Sequence, residues 1–242
     1  MRGAAGYFAG GQSAVKYFEY YGANRKRIHL HNFTSLHQED INKKLLSNAE
    51  KNCLKEKIEM TGKFNVVTVG RHIECKGFDI VLKAAEKIGE SVDFYIIGGE
   101  PSAENKQYKE SHNLSNVHFV DFLGKDELRE YYNAADLFVL MTRGDTWGLV
   151  INEAMANGLP VITTKRCVAG VELIKDGENG YIIDVDDTEA LVNKVLMLRD
   201  NEELCRQMSF ANINKMQTNT IDQIAKDHIQ VLESFFKKRS SK

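Results

Sequence analysis

Two short stretches carry side chains able to handle a phosphorylated ligand. The first, Val69-Gly70-Arg71-His72-Ile73-Glu74-Cys75-Lys76-Gly77, places two cations where an apolar run ends and a helical pattern begins. Arg71 offers a planar fork to phosphate oxygens, Lys76 a mobile point charge, and the free N–H groups of a helix start add to the same positive field. Together they can hold a diphosphate. For either cation taken alone, a solvated surface charge is the plainer reading. The turn has no G-x-G-x-x-G, so the fingerprint of a nicotinamide or flavin dinucleotide is absent.

The second stretch runs Asp145-Thr146-Trp147-Gly148-Leu149-Val150-Ile151-Asn152-Glu153-Ala154-Met155-Ala156-Asn157-Gly158-Leu159-Pro160. Asp145 follows an apolar run, Gly148 lets a ligand come close to the backbone, and the N–H groups of Gly148 and Leu149 would point outward from a helix start. That geometry suits an anion. Glu153 sits in a helix whose inner face is apolar and is costly to bury without a partner, such as a ribose diol or a basic side chain. An exposed glutamate on a helix is the alternative.

The elements that position these residues follow from the pattern around them. Short β-branched or aromatic runs predict strands over 64–69, 92–97, 117–120, 136–140, 160–164 and 180–184. Amphipathic stretches lie between them, so the expected fold is α/β: a Rossmann-like parallel sheet with helices on both faces. Residues 76–88 put Phe78, Val81, Leu82, Ala85 and Ile88 on one helical face, with Gly89 as a stop. A helix beginning near Gly148 ends at Gly158, ahead of Pro160. Beyond Asp187 the pattern is helical to the end, where Ile221, Ile224, His228, Val231, Leu232 and Phe235 form a stripe before a fraying tail, 237–242. The first sixty residues suggest only a helix over 13–21, a strand over 27–30 and a polar segment over 38–57.

Composition narrows the function classes. The 242 residues carry a formal net charge of −2, with a pI near 6.4, which argues against nonspecific attraction to nucleic acid. No apolar run approaches the roughly 20 residues that span a bilayer, and the start lacks the apolar stretch of a signal peptide. The expected location is the cytoplasm, with peripheral contact at the inner face of the membrane allowed. Cys53, Cys75, Cys167 and Cys205 are too scattered for a zinc knuckle or a redox dithiol. His29 and His31 alternate like same-face strand residues but lack a third ligand at a recognisable spacing, so no metal is expected. Asp184-Val185-Asp186 matches the D-x-D of some metal-dependent enzymes with a different fold, yet it ends a strand before a helix, where Asp is an ordinary N-cap.

Several pieces in order resemble a known family. An acidic residue, an aromatic, Gly, and then Glu-Ala-x-Ala-x-Gly-x-Pro-Val, here Asp145 to Val161, resembles the E-x7-E signature of family 4 (group 1) glycosyltransferases, which have the two-domain GT-B fold. Val69-Gly70-Arg71 with Lys76-Gly77-Phe78-Asp79, Ala135-Asp136-Leu137-Phe138-Val139, Gly170-Val171-Glu172-Leu173-Ile174 and Gly177-Glu178-Asn179-Gly180 also match. The resemblance covers about residues 60–235. It implies that Arg71 and Lys76 hold the donor diphosphate beside Gly70, that Glu153 holds the ribose, and that Asp145 contacts hydroxyls of the transferred sugar. The backbone near Leu123 would hold the base, and Trp147, Gly148 and Leu149 would complete the donor site. Two positions depart from the pattern. Asp145 is one methylene shorter than the usual Glu, and Gly98-Gly99-Glu100 stands for Gly-x-Gly.

What the resemblance implies is a donor-binding half of a GT-B enzyme: retaining, metal-independent transfer from a nucleoside-diphosphate sugar to a glycan or lipid-linked acceptor, with no cofactor. Residues 1–35 would be a remnant of the acceptor-binding domain, 36–62 a linker, and 63–242 the donor-binding domain, with the last helix crossing back to the remnant. A noncatalytic nucleotide-sugar-binding subunit, a fragment acting with a separate acceptor-domain chain, and a GT-B epimerase or phosphorylase are the alternatives.

Overall fold

The computed structural model describes residues 4–240, with side chains through residue 235. Residues 1–3, 241 and 242, which fall in the expected remnant and the expected fraying tail, lie outside the described residues. The centre is a six-stranded parallel sheet of β3 (Phe64–Val69), β4 (Val92–Ile97), β5 (Val117–Val120), β6 (Leu137–Leu140), β7 (Val161–Thr164) and β8 (Gly180–Ile183). These are the expected strands, with the last three trimmed by a residue at one end.

Alternation along the strands splits the core into two layers. Val66, Phe94, Ile96, Leu137, Val139 and Ile162 face α3 (Phe78–Ile88) and α8 (Thr188–Arg199). Val67, Tyr95, Ile97, Phe138 and Leu140 face α5 (Lys125–Ala134), α6 (Leu149–Ala156) and α7 (Val168–Leu173). Burial on both faces explains why the strands read as nearly unbroken apolar runs. The face expected on 76–88 does enter the core, but α3 starts at Phe78 because Glu74–Lys76 form a 3-10 turn.

Strand order is β5-β4-β3-β6-β7-β8. The chain therefore builds outward from β3 to one edge, then returns beside β3 with β6 and builds to the other. That reversal opens a crevice at the carboxyl ends of β3 and β6, the general ligand position in such sheets.

The first sixty residues hold more structure than their pattern suggests. β1 (Tyr7–Ala9), which the sequence reading did not include, pairs in parallel with β2 (Ile28–Leu30), and α1 (Gln12–Tyr20) connects them over a small core of Ala9, Val15, Ala23 and Ile28. The polar segment contains α2 (Asn48–Lys57), started by a capping box between Ser47 and Glu50. Lys51 and Lys55 tie α2 to Asp136 at 3.2 and 3.0 Å. After α9 (Glu202–Met216), α10 (Ile221–Ser240) returns to the β1–β2 pair, with the His228 and Phe8 rings 4.3 Å apart. Ile224, His228, Val231 and Phe235 turn inward, whereas Ile221 and Leu232, expected in the same stripe, are exposed. The tail expected to fray is helical through Ser240.

Candidate functional site

The two chemically suggestive stretches are the two βα turns flanking the crevice, one after β3 and one after β6. Lys76 and Asp145, 69 residues apart, form an ion pair at 2.6 Å across it. Lys76 is therefore not the mobile charge its sequence suggests. The turns touch because Gly77 has no side chain: with φ at 69°, a Cβ there would lie 1.9 Å from the Met141 carbonyl oxygen. Arg143 rivets the contact. Its backbone N–H donates to the Cys75 carbonyl at 2.7 Å, and its guanidinium donates to Glu74 O at 2.7 Å and to both Asp79 oxygens at 2.9 and 2.8 Å. It also reaches Asp186 at 2.8 Å. These carboxylates hold the Arg143 pKa above its already high ordinary value, with the hydrogen bond to Asp79 the largest cause.

In the loop after β6, the Trp147 N–H donates to Asp145 Oδ1 at 3.3 Å, so Asp145 is held on both oxygens. The buried Trp147 ring lies beneath the loop. Gly148 caps α6 at φ 97°, and a Cβ there would meet Cys167 Sγ at 2.7 Å. No side chain caps this end of α6, so its first N–H groups have no intrahelical or side-chain acceptor. Leu149 is 40% exposed.

Glu153 is partly buried on α6 and accepts a hydrogen bond from the Tyr132 hydroxyl at 3.0 Å. Burial pushes its carboxyl above the usual glutamate range, against the opposing pull of the Tyr132 hydroxyl and Lys125. Burial, and then the Glu153 charge, push the Tyr132 phenol well above its ordinary value. Leu123 lies half-buried in the loop after β5, packed against the core layer that contains α5 and α6. Arg71 is exposed at the start of the β3 turn, and Gly70 continues the sheet by donating to Ile97 O at 2.9 Å.

The structure thus joins Lys76 to Asp145 and puts Gly148 and Leu149 at the same crevice. Glu153 is paired instead with a residue of α5. The sequence reading missed Arg143, Tyr132, His72 and Asn152. His72 lies edge-on to Phe78 and Phe119 at 4.9 and 5.7 Å, and both ring nitrogens lack a partner among the described residues. Burial lowers its pKa, so the ring sits neutral beside Arg71. Arg143, two residues before Asp145, was the one legible signal: a cation in a βα turn at the crevice. The D-x-D stretch also differs from expectation. The N-cap of α8 is Asp187, which accepts from Ala190 N at 2.9 Å, while Asp184 and Asp186 pair with Lys165 and Arg143. Among the described residues, no three His, Cys, Asp or Glu side chains are grouped to hold a metal ion.

Comparison with known proteins identifies the family to which this sheet belongs. Mannosylfructose-phosphate synthase of Agrobacterium fabrum is 31% identical over 214 residues, covering 83% of this chain and 46% of that protein. N-acetyl-alpha-D-glucosaminyl L-malate synthase of Bacillus anthracis is 39% identical over 100 residues, covering 39% of this chain and 26% of its own. The chain thus spans less than half the length of either relative. The crystal structure of HepE from Anabaena in complex with UDP superposes with a TM-score of 0.83 at 20% identity, covering 96% of this chain and 65% of that one, and so shares the fold. The family model for "Glycosyl transferases group 1" matches residues 63–201, from the first strand of the sheet through α8. The chain belongs to the group 1 glycosyltransferases, with a Rossmann-like half of the GT-B fold as its central sheet.

Proposed function

We propose that the crevice between β3 and β6 binds a nucleoside-diphosphate sugar and supports transfer of its sugar, with retention and without a metal, to a glycan or lipid-linked acceptor. The observation that carries this reading is the Lys76–Asp145 pair at 2.6 Å, which brings the cation of one turn and the acid of the other to the mouth of a single helix start. A diphosphate entering there competes with Asp145 for Lys76. Lys76 and Arg71 then take the phosphate oxygens, with the N–H groups of Gly148 and Leu149 facing the same charge. Asp145, released, is free to accept from hydroxyls of the sugar. Glu153 accepts from the ribose diol, and the backbone at Leu123 meets the base.

Breaking the bond between sugar and phosphate leaves negative charge on the diphosphate. Fixed cations and a helix start stabilise that charge most where water is excluded. HepE, solved with UDP, supports a uridine nucleotide as the first ligand to test. Calorimetry with UDP in the presence of a chelator should show binding that Lys76→Ala removes. No heat from UDP, GDP or ADP at millimolar concentration would overturn the reading.

A further inference from the structure

Asn152 is fully buried on α6, one residue before Glu153, at a position where the helix otherwise presents apolar side chains to the core. Its carboxamide is saturated by three separate segments. Oδ1 accepts from Trp147 Nε1 at 2.9 Å, and Nδ2 donates to the Phe33 carbonyl and to Asn219 Oδ1, each at 3.1 Å. Phe33 lies in the strand-to-linker passage after β2, and Asn219 in the connection from α9 to α10. Those two segments are themselves stapled, because Ile221 N donates to Leu36 O at 2.9 Å. They are the two passages by which the chain crosses between the β1–β2 unit and the large sheet.

On its other side Trp147 connects to the site. Its backbone N–H bonds Asp145 Oδ1, and Asp145 Oδ2 bonds Lys76. The Phe33 ring stands edge-on to Trp147 at 5.5 Å and fills the space a side chain at Gly10 would need. A continuous series of direct contacts therefore runs from Lys76 through Asp145, Trp147 and Asn152 to both crossing segments. We propose that Asn152 is a positioning residue that couples occupancy of the donor site to the placement of the two crossing segments, and through them of the β1–β2 unit. This rests on the donor-site reading above. A ligand that draws Lys76 from Asp145 changes the carboxylate that fixes the Trp147 backbone, and Asn152 passes that change on. A buried apolar residue of similar size would fill the space and pass on nothing, while leaving the Trp147 indole N–H, the Phe33 carbonyl and the Asn219 side chain without partners. Coupling of this kind is established by perturbing one end and reading the other.

Trp147 is the chain's single tryptophan, so intrinsic fluorescence reads the middle of the series directly. The full chain would be titrated with UDP, following tryptophan emission, calorimetric affinity and hydrogen exchange of the segments 33–36 and 218–221. With native Asn152, UDP should shift the emission and slow exchange in both segments by about fivefold or more, the lower end of ordinary coupling between sites. Asn152→Leu should still bind UDP by calorimetry but lose the slowing in 218–221, keeping in 33–36 only the part that the Phe33–Trp147 ring contact carries. Asn219→Ala, which removes one arm and leaves the Trp147 contact, should lose it in 218–221 and keep it in 33–36, and this variant decides the matter if Asn152→Leu does not fold. Retained slowing in both segments in either variant overturns the proposal. UDP binding to the unaltered chain without any slowing overturns it while sparing the donor-site reading, whereas no UDP binding at all overturns both.

Discussion

The Tyr132 hydroxyl donates to Glu153 Oε2 at 3.0 Å, so the acid proposed for the ribose already has a partner within the chain. Two elements of the same layer, α5 and α6, meet at this bond. Glu153→Gln, which keeps the shape but loses the charge, should weaken UDP binding by about 1.5–3 kcal/mol, the usual worth of a hydrogen bond to a charged group. Burial raises the carboxyl, so UDP affinity should fall on acidification from above the usual glutamate range, and the Gln variant should be flat there. In stability the shift acts with the opposite sign. Between the ordinary and the raised value the folded chain holds a proton that the unfolded chain has released, so this group's contribution is lost as pH rises through that window. Calorimetric titrations and urea unfolding over the same pH series read the two effects separately.

Asp145 and the diphosphate compete for Lys76, which separates nucleotide binding from sugar recognition. Asp145→Ala should bind UDP as tightly as the native chain or tighter, because the internal competitor is gone. It should lose any preference for a UDP-sugar over UDP itself. Competition calorimetry with the two ligands measures the ratio, and UDP affinity lost together with the preference would contradict the competition.

At the amino ends of β3 and β6, away from the crevice, Asp136 receives Lys51, Lys55 and the Asn65 N–H, and Lys55 is 7% exposed. Asp136→Ala removes the shared carboxylate and leaves each ammonium one backbone carbonyl, Ala135 O for Lys51 and Lys63 O for Lys55, and should cost about 3 kcal/mol in urea unfolding, in line with other broken buried pairs. Replacing the whole set with apolar residues, Lys51→Met and Lys55→Met with Asp136→Leu, should recover much of that loss.

His31 and His228 meet at 4.9 Å between β2 and α10, with Phe8 beside both. Burial first, and His228 second, lower the His31 pKa, while a backbone hydrogen bond at Asn32 partly opposes them. The unfolded chain therefore takes up a proton that the folded chain resists. Stability should fall as pH drops from about 6.5, the ordinary histidine value, through the lower folded value. Thermal midpoints at pH 8 and pH 5.5 should differ less for His31→Phe than for the native chain.

Much of this was legible in the sequence because both the parallel strands and the two βα turns depend on local pattern. The runs 64–69 and 92–97 are apolar since both faces of the sheet are covered, and that alone places their ends. Asp145, Gly148 and Glu153 share one segment, so their spacing survives folding. What could not be read depends on partners distant in the chain. Nothing near Lys76 signals that Asp145 will neutralise it, and nothing near Glu153 announces Tyr132. β1 was missed because Tyr7–Ala9 is a three-residue strand followed by two glycines, too short for a period to register. The inward face of α10 holds four of the six expected stripe residues; Ile221 and Leu232 are apolar but face solvent, a common fate for single surface residues.

The pairing of β3 with β6 joins Val66 to Leu137, residues 71 apart in sequence. On a ribosome the first turn, with Arg71 and Lys76, emerges long before the strand that completes its crevice. Until β6 docks, β3 has one open edge, and the sheet can grow only toward β4 and β5. Long-range closure of this kind is slow, because chain entropy is lost before the contacts that repay it form. The crevice that recommends itself for ligand binding is thus also the seam at which two halves of the sheet meet during folding, and a ligand that bridges it would favour the joined state over the half-built one.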